Sequence, residues 1–307
     1  MRAYVLRKCL TVVPLLAVVT LLVFSMRVLV PGDPVEIMMM GQAADRETLE
    51  RVRQELGWDR PLLVQYGDYV RGLLRGDLGT SIRNGRPVAE DLAARYPLTI
   101  LLAVASLLVA VTLGLGLGVA AAVKRERPLD AIATALAVVG MSMPPFWLGL
   151  LLISLVSVRW GLLPVMGAES WRHLVLPALT LGLVSAASIA RLVRSSVLET
   201  LGQDYIRTAR AKGLPERLVV AKHALRGALN PVLSMVGLQF GFMLSGAFIV
   251  EVVFAWHGVG ELAVIAIQNR DFPLVQGVVV VVALTYVVVN TGVDLLCAWL
   301  DPRVAVS

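Results

Sequence analysis

The chain has 307 residues, of which 57% are hydrophobic and only 16% charged, with a net charge of +6. Soluble domains carry roughly 25% charged residues. The deficit falls in long uncharged stretches with the charges gathered between them, which argues against a soluble domain and reads as an all-α polytopic membrane protein. No basic soluble face of the kind that binds nucleic acid is evident.

Six stretches are apolar enough to be spans: 9–26, 97–123, 131–158, 174–190, 228–250 and 272–293. Crossing ~30 Å of hydrocarbon takes about 20 apolar residues. The first and fourth are shortest, and each extends by a turn if Arg27 and Arg191 snorkel to the interface. The first has a basic start (Arg2, Arg7, Lys8) but no small-residue cleavage site before Pro31-Gly32-Asp33-Pro34, so it reads as an uncleaved span. The third contains Pro144-Pro145 and is expected to kink there or to begin with an interfacial turn.

The chain thus divides into an N-terminus and first span (1–30), an extracytoplasmic insert (31–96) and a five-helix core (97–307). In the insert, Leu49, Val52 and Leu56 fall at helical spacing and are closed by Gly57. A second helix is expected from Pro61 through Leu73, a turn at Gly76–Thr80, and a third short helix from Pro87 that ends before Pro97. Gly114 and Gly118 lie four apart in the second span. They let another helix approach, or serve ordinary small-residue packing in the bundle.

Lys8, Lys124, Lys212 and Lys222 all fall on one side of the six-span arrangement, which predicts that both termini are cytoplasmic. The net positive charge then reflects topology. Cys9 and Cys297 lie in or at the ends of spans and suggest neither a disulfide framework nor a metal site.

The loop 191–226 carries the most information. Asp204 is a favourable N-cap, Arg207, Arg210 and Lys212 sit where the helix dipole favours cations, and Gly213 suits a left-handed stop. A short, sharply bounded helix over 205–212 is predicted, with a second helix opened by Pro215 and running toward the fifth span. The basic residues and the small Ala209/Ala211 pair suit docking into a groove on another protein. The competing reading is a basic loop that fixes topology or touches anionic membrane lipid.

The run Asp204-Tyr205-Ile206-Arg207-Thr208-Ala209-Arg210-Ala211-Lys212-Gly213-Leu214 resembles the coupling-helix motif of ABC importer permeases, close to the dipeptide, oligopeptide, glutathione and nickel group. Further matches cover nearly the whole chain in order. They include Val30-Pro31-Gly32-Asp33-Pro34, Gly76-Asp77-Leu78-Gly79, Arg86-Pro87-Val88 and Ser142-Met143-Pro144-Pro145-Phe146-Trp147-Leu148-Gly149. Leu176-Pro177, Asn269-Arg270-Asp271-Phe272-Pro273 and Asp301-Pro302-Arg303 complete the series. One departure is His257, in Phe254-Ala255-Trp256-His257-Gly258-Val259-Gly260, where the group usually has proline.

The resemblance implies a type I importer permease fold and a non-catalytic subunit. Its partners are then a second homologous permease, two ATPase subunits that dock on the coupling helices, and an external solute-binding protein. The chain has no G-x-x-x-x-G-K-[ST] loop, so ATP and Mg are expected on the ATPase partners and no cofactor on this chain. Asp204, Tyr205, Arg207, Thr208, Ala209, Arg210, Ala211, Lys212 and Gly213 form the expected coupling site. Short peptides or glutathione are the expected solutes, with nickel as an alternative within the family.

An autonomous secondary carrier is the competing class, and would show charge relays or broken helices at mid-membrane. Gln239, Glu251, Asn290 and Asp294 are candidate pathway residues, since polar groups in spans are functional candidates. Against that, Glu251 suits a wet interfacial position, and Asp294 suits a structural pair with Arg191 or Arg194. His173, His257 and Met38-Met39-Met40 could serve a metal route but lack the close spacing of a metal site.

Overall fold

The computed structural model describes residues 2–29, 35, 45–55 and 57–300, and among these it is helical, with no strand beyond a single bridge between Thr80 and Pro87. The motifs at 30–34 and 301–303 and the methionines 38–40 lie outside the described residues.

Helix α1 spans Arg2–Leu29 and carries Pro14 inside it. The insert contributes α2 (Arg46–Glu55) and α3 (Leu62–Leu74). The Asp45 carboxylate accepts the Thr48 backbone N–H at 3.0 Å, capping α2, and Gly57 follows with φ +66°. Tyr66 of α3 meets Phe24 edge-on at 5.4 Å between ring centroids, and its hydroxyl lies 3.1 Å from that of Thr20, which seats the insert on α1.

The separate helix expected at 87–97 is absent. Helix α4 runs unbroken from Val88 to Val123 with Pro97 inside it, so the expected insert boundary at residue 96 falls within a helix. Proline removes one backbone donor and normally ends or kinks a helix. Here tertiary bonds hold both sides of it: Arg95 pairs with Glu261 at 2.7 Å, Tyr96 bonds Thr285, and Thr99 donates to Glu251 at 2.8 Å.

The expected third span is two helices, α5 (Pro128–Ser142) and α6 (Pro145–Leu152), bent by 105° at Met143-Pro144. A π-helical stretch, Ile153–Arg159, continues α6. The bend is far larger than a kink, because two successive prolines remove two adjacent donors and the residue before each is pushed to extended backbone.

Helix α7 (Trp171–Leu201) runs eleven residues beyond the expected end of the fourth span, so the first third of the presumed loop 191–226 is helix. At its start His173 Nδ1 accepts the Ser170 backbone N–H at 3.2 Å, and His173 Nε2 pairs with Glu169 at 3.0 Å. That is a capping role rather than a metal route.

Beyond α8 (Asp204–Ala211) come α9 (Glu216–Leu218), a π-helical turn (Val219–Ala224) and α10 (Leu225–Gly227). Helix α11 (Leu229–Gly246) then leaves at 62°. The expected fifth span 228–250 is thus divided between α11 and α12 (Phe248–Val253). Helix α13 (Val259–Gln268) folds back, and α14 (Phe272–Leu300) closes the bundle.

Among the described residues, three helices (α4, α7 and α14) are long and apolar enough to cross a membrane, or five spans if each bent pair counts as one. The apolar part of α1, Val12–Met26, is shorter. At 1.5 Å per residue, α4 is about 54 Å long and α7 about 46 Å, so both project well past ~30 Å of hydrocarbon.

The core is the α4–α7 pair, packed through glycine. A Cβ on Gly114 would stand 2.7 Å from Ile189 Cβ, one on Gly118 2.6 Å from the Ala190 carbonyl oxygen, and one on Gly182 2.6 Å from Val109 Cβ. The glycines therefore permit a backbone approach that any side chain would prevent. Gly237 and Gly241 of α11 do the same against Val293 and Tyr286 of α14.

Candidate coupling site

Helix α8 stands between two helix ends at the pole of the bundle opposite the insert. Gln203, rather than Asp204, is its N-cap, and Asp204 takes the first helical position, where its charge favours the dipole. Lys212 is the C-cap and Gly213 follows with φ +77°, the left-handed stop that glycine adopts without strain.

Two side chains hold the helix to the bundle. Ile206 is fully buried and Ala209, three residues on, is 6% exposed. They join Val219 and Ala224 of the following segment and Leu198 and Leu201 of α7 in one apolar cluster. Spacing of three places both on one face, which is how an otherwise polar two-turn helix stays folded.

The remaining residues face solvent. Asp204, Tyr205, Arg207, Thr208, Arg210, Ala211, Lys212 and Gly213 are all exposed. Arg207 lies 3.4 Å from Asp204 across one turn, a solvated pair of little energetic weight. Arg210 instead forms a fork with Glu216, at 3.0 Å from Nε and 2.7 Å from Nη2, which closes α8 onto α9. Hydrogen bonding to Glu216 raises the Arg210 guanidinium above its ordinary value.

The expected Ala209/Ala211 docking pair therefore divides: Ala209 faces the chain's own core and only Ala211 is free to meet a partner. The signal for this was in the sequence, since Ile206 and Ala209 form the lone i, i+3 apolar pair of the segment.

Glu251 is completely buried. Its Oε1 accepts the Thr99 hydroxyl at 2.8 Å, and its Oε2 accepts the backbone N–H groups of Gly260 and Glu261 at 2.7 and 3.1 Å. The Val259 N–H donates to Thr99 Oγ1 at 2.8 Å. Glu251 is thus the anionic cap of α13, tying it to α4, and the wet interfacial position expected for it is replaced by a buried one.

Gly258 and Gly260 make the space. A Cβ on either would stand within 3 Å of the carboxylate, at 2.3 Å from Oε1 and 2.9 Å from Oε2 respectively. His257 Nδ1 lies 2.9 Å from Glu261 Oε2, the oxygen that Arg95 also binds, so its ring adds to an existing pair at the surface.

Asn290 sits at the α11–α14 contact, 3.7 Å from where a Cβ on Gly241 would be. Gln239, two residues from Gly237 and Gly241, falls on the opposite face of α11 and is half-buried. Asp294 is half-buried on α14. Of Arg191 and Arg194, the partners expected for Asp294, Arg194 forks onto Asp130 at 2.6 and 2.8 Å.

Sequence reasoning missed Asp271. It is 1% exposed, accepts the Ser81 hydroxyl and the backbone N–H groups of Ile82, Arg83 and Leu274, and so clamps the insert turn onto the start of α14. One half of this clamp lies in the quoted run Asn269–Pro273, and the other, Ser81–Arg83, lies between the quoted runs Gly76–Gly79 and Arg86–Val88. Their separation of some 190 positions hid the contact.

Comparison with known proteins decides the family. Residues 114–306 match the family described as "Binding-protein-dependent transport system inner membrane component", and residues 1–103 match "Binding-prot-dependent transport system membrane comp, N-term". The chain belongs to this family. It is the permease subunit of an ABC importer, a multi-pass inner-membrane component that works with ATPase subunits and a binding protein.

The permease is 46% identical over 301 residues to the glutathione transport system permease protein GsiC of Salmonella choleraesuis (strain SC-B67), covering 98% of each chain. It is 44% identical over the same length, with the same coverage, to the GsiC protein of Escherichia coli (strain K12).

Among solved structures, it resembles the MetNI methionine ABC transporter in inward-facing conformations, with a TM-score of 0.59 and 20% identity over 68% of this chain and 96% of that one. An amino acid ABC transporter crystallised with histidines gives a TM-score of 0.53 at 18% identity, over 70% of this chain and 94% of that one. These two likenesses establish the fold. Both leave nearly a third of the permease uncovered.

Proposed function

We propose that the permease forms half of the translocation pathway for glutathione or a similar short peptide, and that ATP hydrolysis on partner subunits drives it through α8. The observation that carries the reading is the build of α8. It is a two-turn helix pinned inward by Ile206 and Ala209, with Arg207, Thr208, Ala211 and Lys212 presented beyond the bundle. Such a helix is a rigid handle on α7, and it offers a partner groove two cations and a small residue.

In this reading a second homologous permease completes the pathway and two ATPases dock on the paired α8 helices. A binding protein delivers solute at the insert end. ATP and Mg reside on the ATPases and no cofactor on this chain. In the same reading there are six crossings, α1, α4, the bent pair α5–α6, α7, the bent pair ending in α11, and α14, and the loop lysines Lys8, Lys124, Lys212 and Lys222 support a cytoplasmic side for both termini and α8. The solute follows from relatives named for glutathione transport that align with 98% of the chain, which sets nickel aside.

The test begins with purification of the tagged permease from its native membrane. A second permease and ATPases are expected to co-purify, and the complex in vesicles is expected to take up glutathione with ATP and a binding protein. Ala211→Trp should abolish ATPase retention, because the ring would obstruct the groove without disturbing the core. The variant Ala209→Trp is unsuitable, since it would test folding. Uptake by the purified chain alone would replace this reading with an autonomous carrier.

A further inference from the structure

A push on α8 moves a solute only if it reaches the helices that line the membrane, and the structure contains a device for this at Asp130 and Arg194. Helix α8 is seated on the end of α7 through Leu198 and Leu201, two residues after α7 ends. Helix α7 is locked to α4 by the glycine contacts, so those two move together. Helix α5 is different. Its contact with α7 is made of small residues: Ala133 and Ala137 are buried there, and a Cβ on Gly140 would already lie 3.1 Å from Ala187 Cβ. A half-open groove of about 50 Å³ lies where α4, α5 and α7 meet, lined in part by Gly118, Ala137, Ala190 and Arg194. These small side chains give no knob-into-hole register like that of Ile189, Val193 and Val109 against the α4–α7 glycines, so this packing alone does not fix how far α5 slides along α7.

The polar contact at its end is strong. Arg194 Nε and Nη2 donate to Asp130 Oδ1 and Oδ2 at 2.6 and 2.8 Å, a bidentate fork with fixed angle as well as distance. Asp130 is 5% exposed and also accepts the Glu126 backbone N–H at 3.1 Å, with Glu126 at φ +63°, so the turn between α4 and α5 is fixed by the same carboxylate. From Asp130, α5 leads to the 105° bend and α6, where a Cβ on Gly149 would lie 3.0 Å from Phe254, beside the Glu251 cap.

We propose that Asp130 and Arg194 are positioning residues, a strut that carries the displacement of α7 to the bent α5–α6 pair and so couples ATP hydrolysis to opening of the pathway. The proposal rests on the coupling reading of α8. Neither residue touches solute or the ATPases. Their partnership sets whether α5 follows α7 or slides on its alanine face.

The test uses the whole complex in vesicles with Asp130→Asn, Arg194→Gln and the charge swap Asp130→Arg/Arg194→Asp. In each single variant the ATPases should stay bound and hydrolyse ATP, while solute taken up per ATP falls by ~5-fold or more. The swap should recover most of that ratio, which a merely structural loss would not. An unchanged ratio in Asp130→Asn overturns the strut. So does a swap no better than the singles, or single variants that fail to assemble together with a swap that also fails. The wild-type complex separates the two readings: if it moves solute without ATP, the coupling reading falls and the strut with it. If it is coupled and Asp130→Asn is equally coupled, only the strut falls.

Discussion

The two poles of the permease are held by different physics. At the insert pole, buried carboxylates bind backbone N–H and hydroxyl groups, some across long sequence distances: Glu251 joins α12, α13 and α4, and Asp271 joins the insert turn to α14. At the α8 pole, a surface helix is held by two apolar side chains and an exposed fork between Arg210 and Glu216. Directional bonds to buried anions fix geometry and fail abruptly when one partner is removed. Apolar seating lets the attached helix be carried as a body, and its outer face remains free for recognition.

Substitutions ranked by expected effect put that contrast to the test. Glu251→Ala should be the most damaging, by about 3–5 kcal/mol, because it strands the Thr99 hydroxyl and two backbone N–H groups in a buried site. A thermal melt of the purified chain in detergent would register it, and a melt within a degree of wild type would refute the buried cap.

Ile206→Ala comes next. Truncating a fully buried aliphatic side chain destabilises by roughly 2–4 kcal/mol where the site cannot collapse. Because α8 lies at the surface, the loss should appear as local opening. Faster hydrogen exchange over 203–214, with the insert pole unaffected, is the expected pattern, and uniform loosening of both poles would contradict it.

Asp271→Ala should cost about 2 kcal/mol through unpaired donors, and release the insert turn while the bundle persists. Limited proteolysis near 79–86 should become faster, whereas unchanged cleavage would show that the turn is held by its own backbone bonds instead.

Arg207→Ala should leave stability within about 0.5 kcal/mol, since the side chain is exposed and its pair with Asp204 is solvated. ATP-driven uptake should nevertheless fall, and equal uptake would remove Arg207 from the coupling face. Smallest of all, His257→Pro should alter neither melt nor uptake measurably, because Arg95 retains Glu261. A clear loss would give the ring a role beyond that pair.

Much of this was legible in the sequence. Charge distribution predicts a membrane protein, Gly57 and Gly213 stop their helices where expected, and the run Asp204–Leu214 marks a short bounded helix. These are local matters, in which backbone conformation and apolar periodicity act over a few residues. The family emerged from motif order for the same reason.

The errors share one cause. Pro97 was read as a helix end and Glu251 as a wet residue. Each depended on which distant residue stands opposite. Proline sits within α4 because Glu261, Thr285 and Glu251 hold the helix on either side of it, from positions more than 150 residues away. The sequence by itself determined the apolar helices, their stops and the family. Only the tertiary structure decided which carboxylates are buried and that Arg194 forks onto Asp130. Burial and charge pairing belong to the packed bundle and have no signature in the order of residues along one helix.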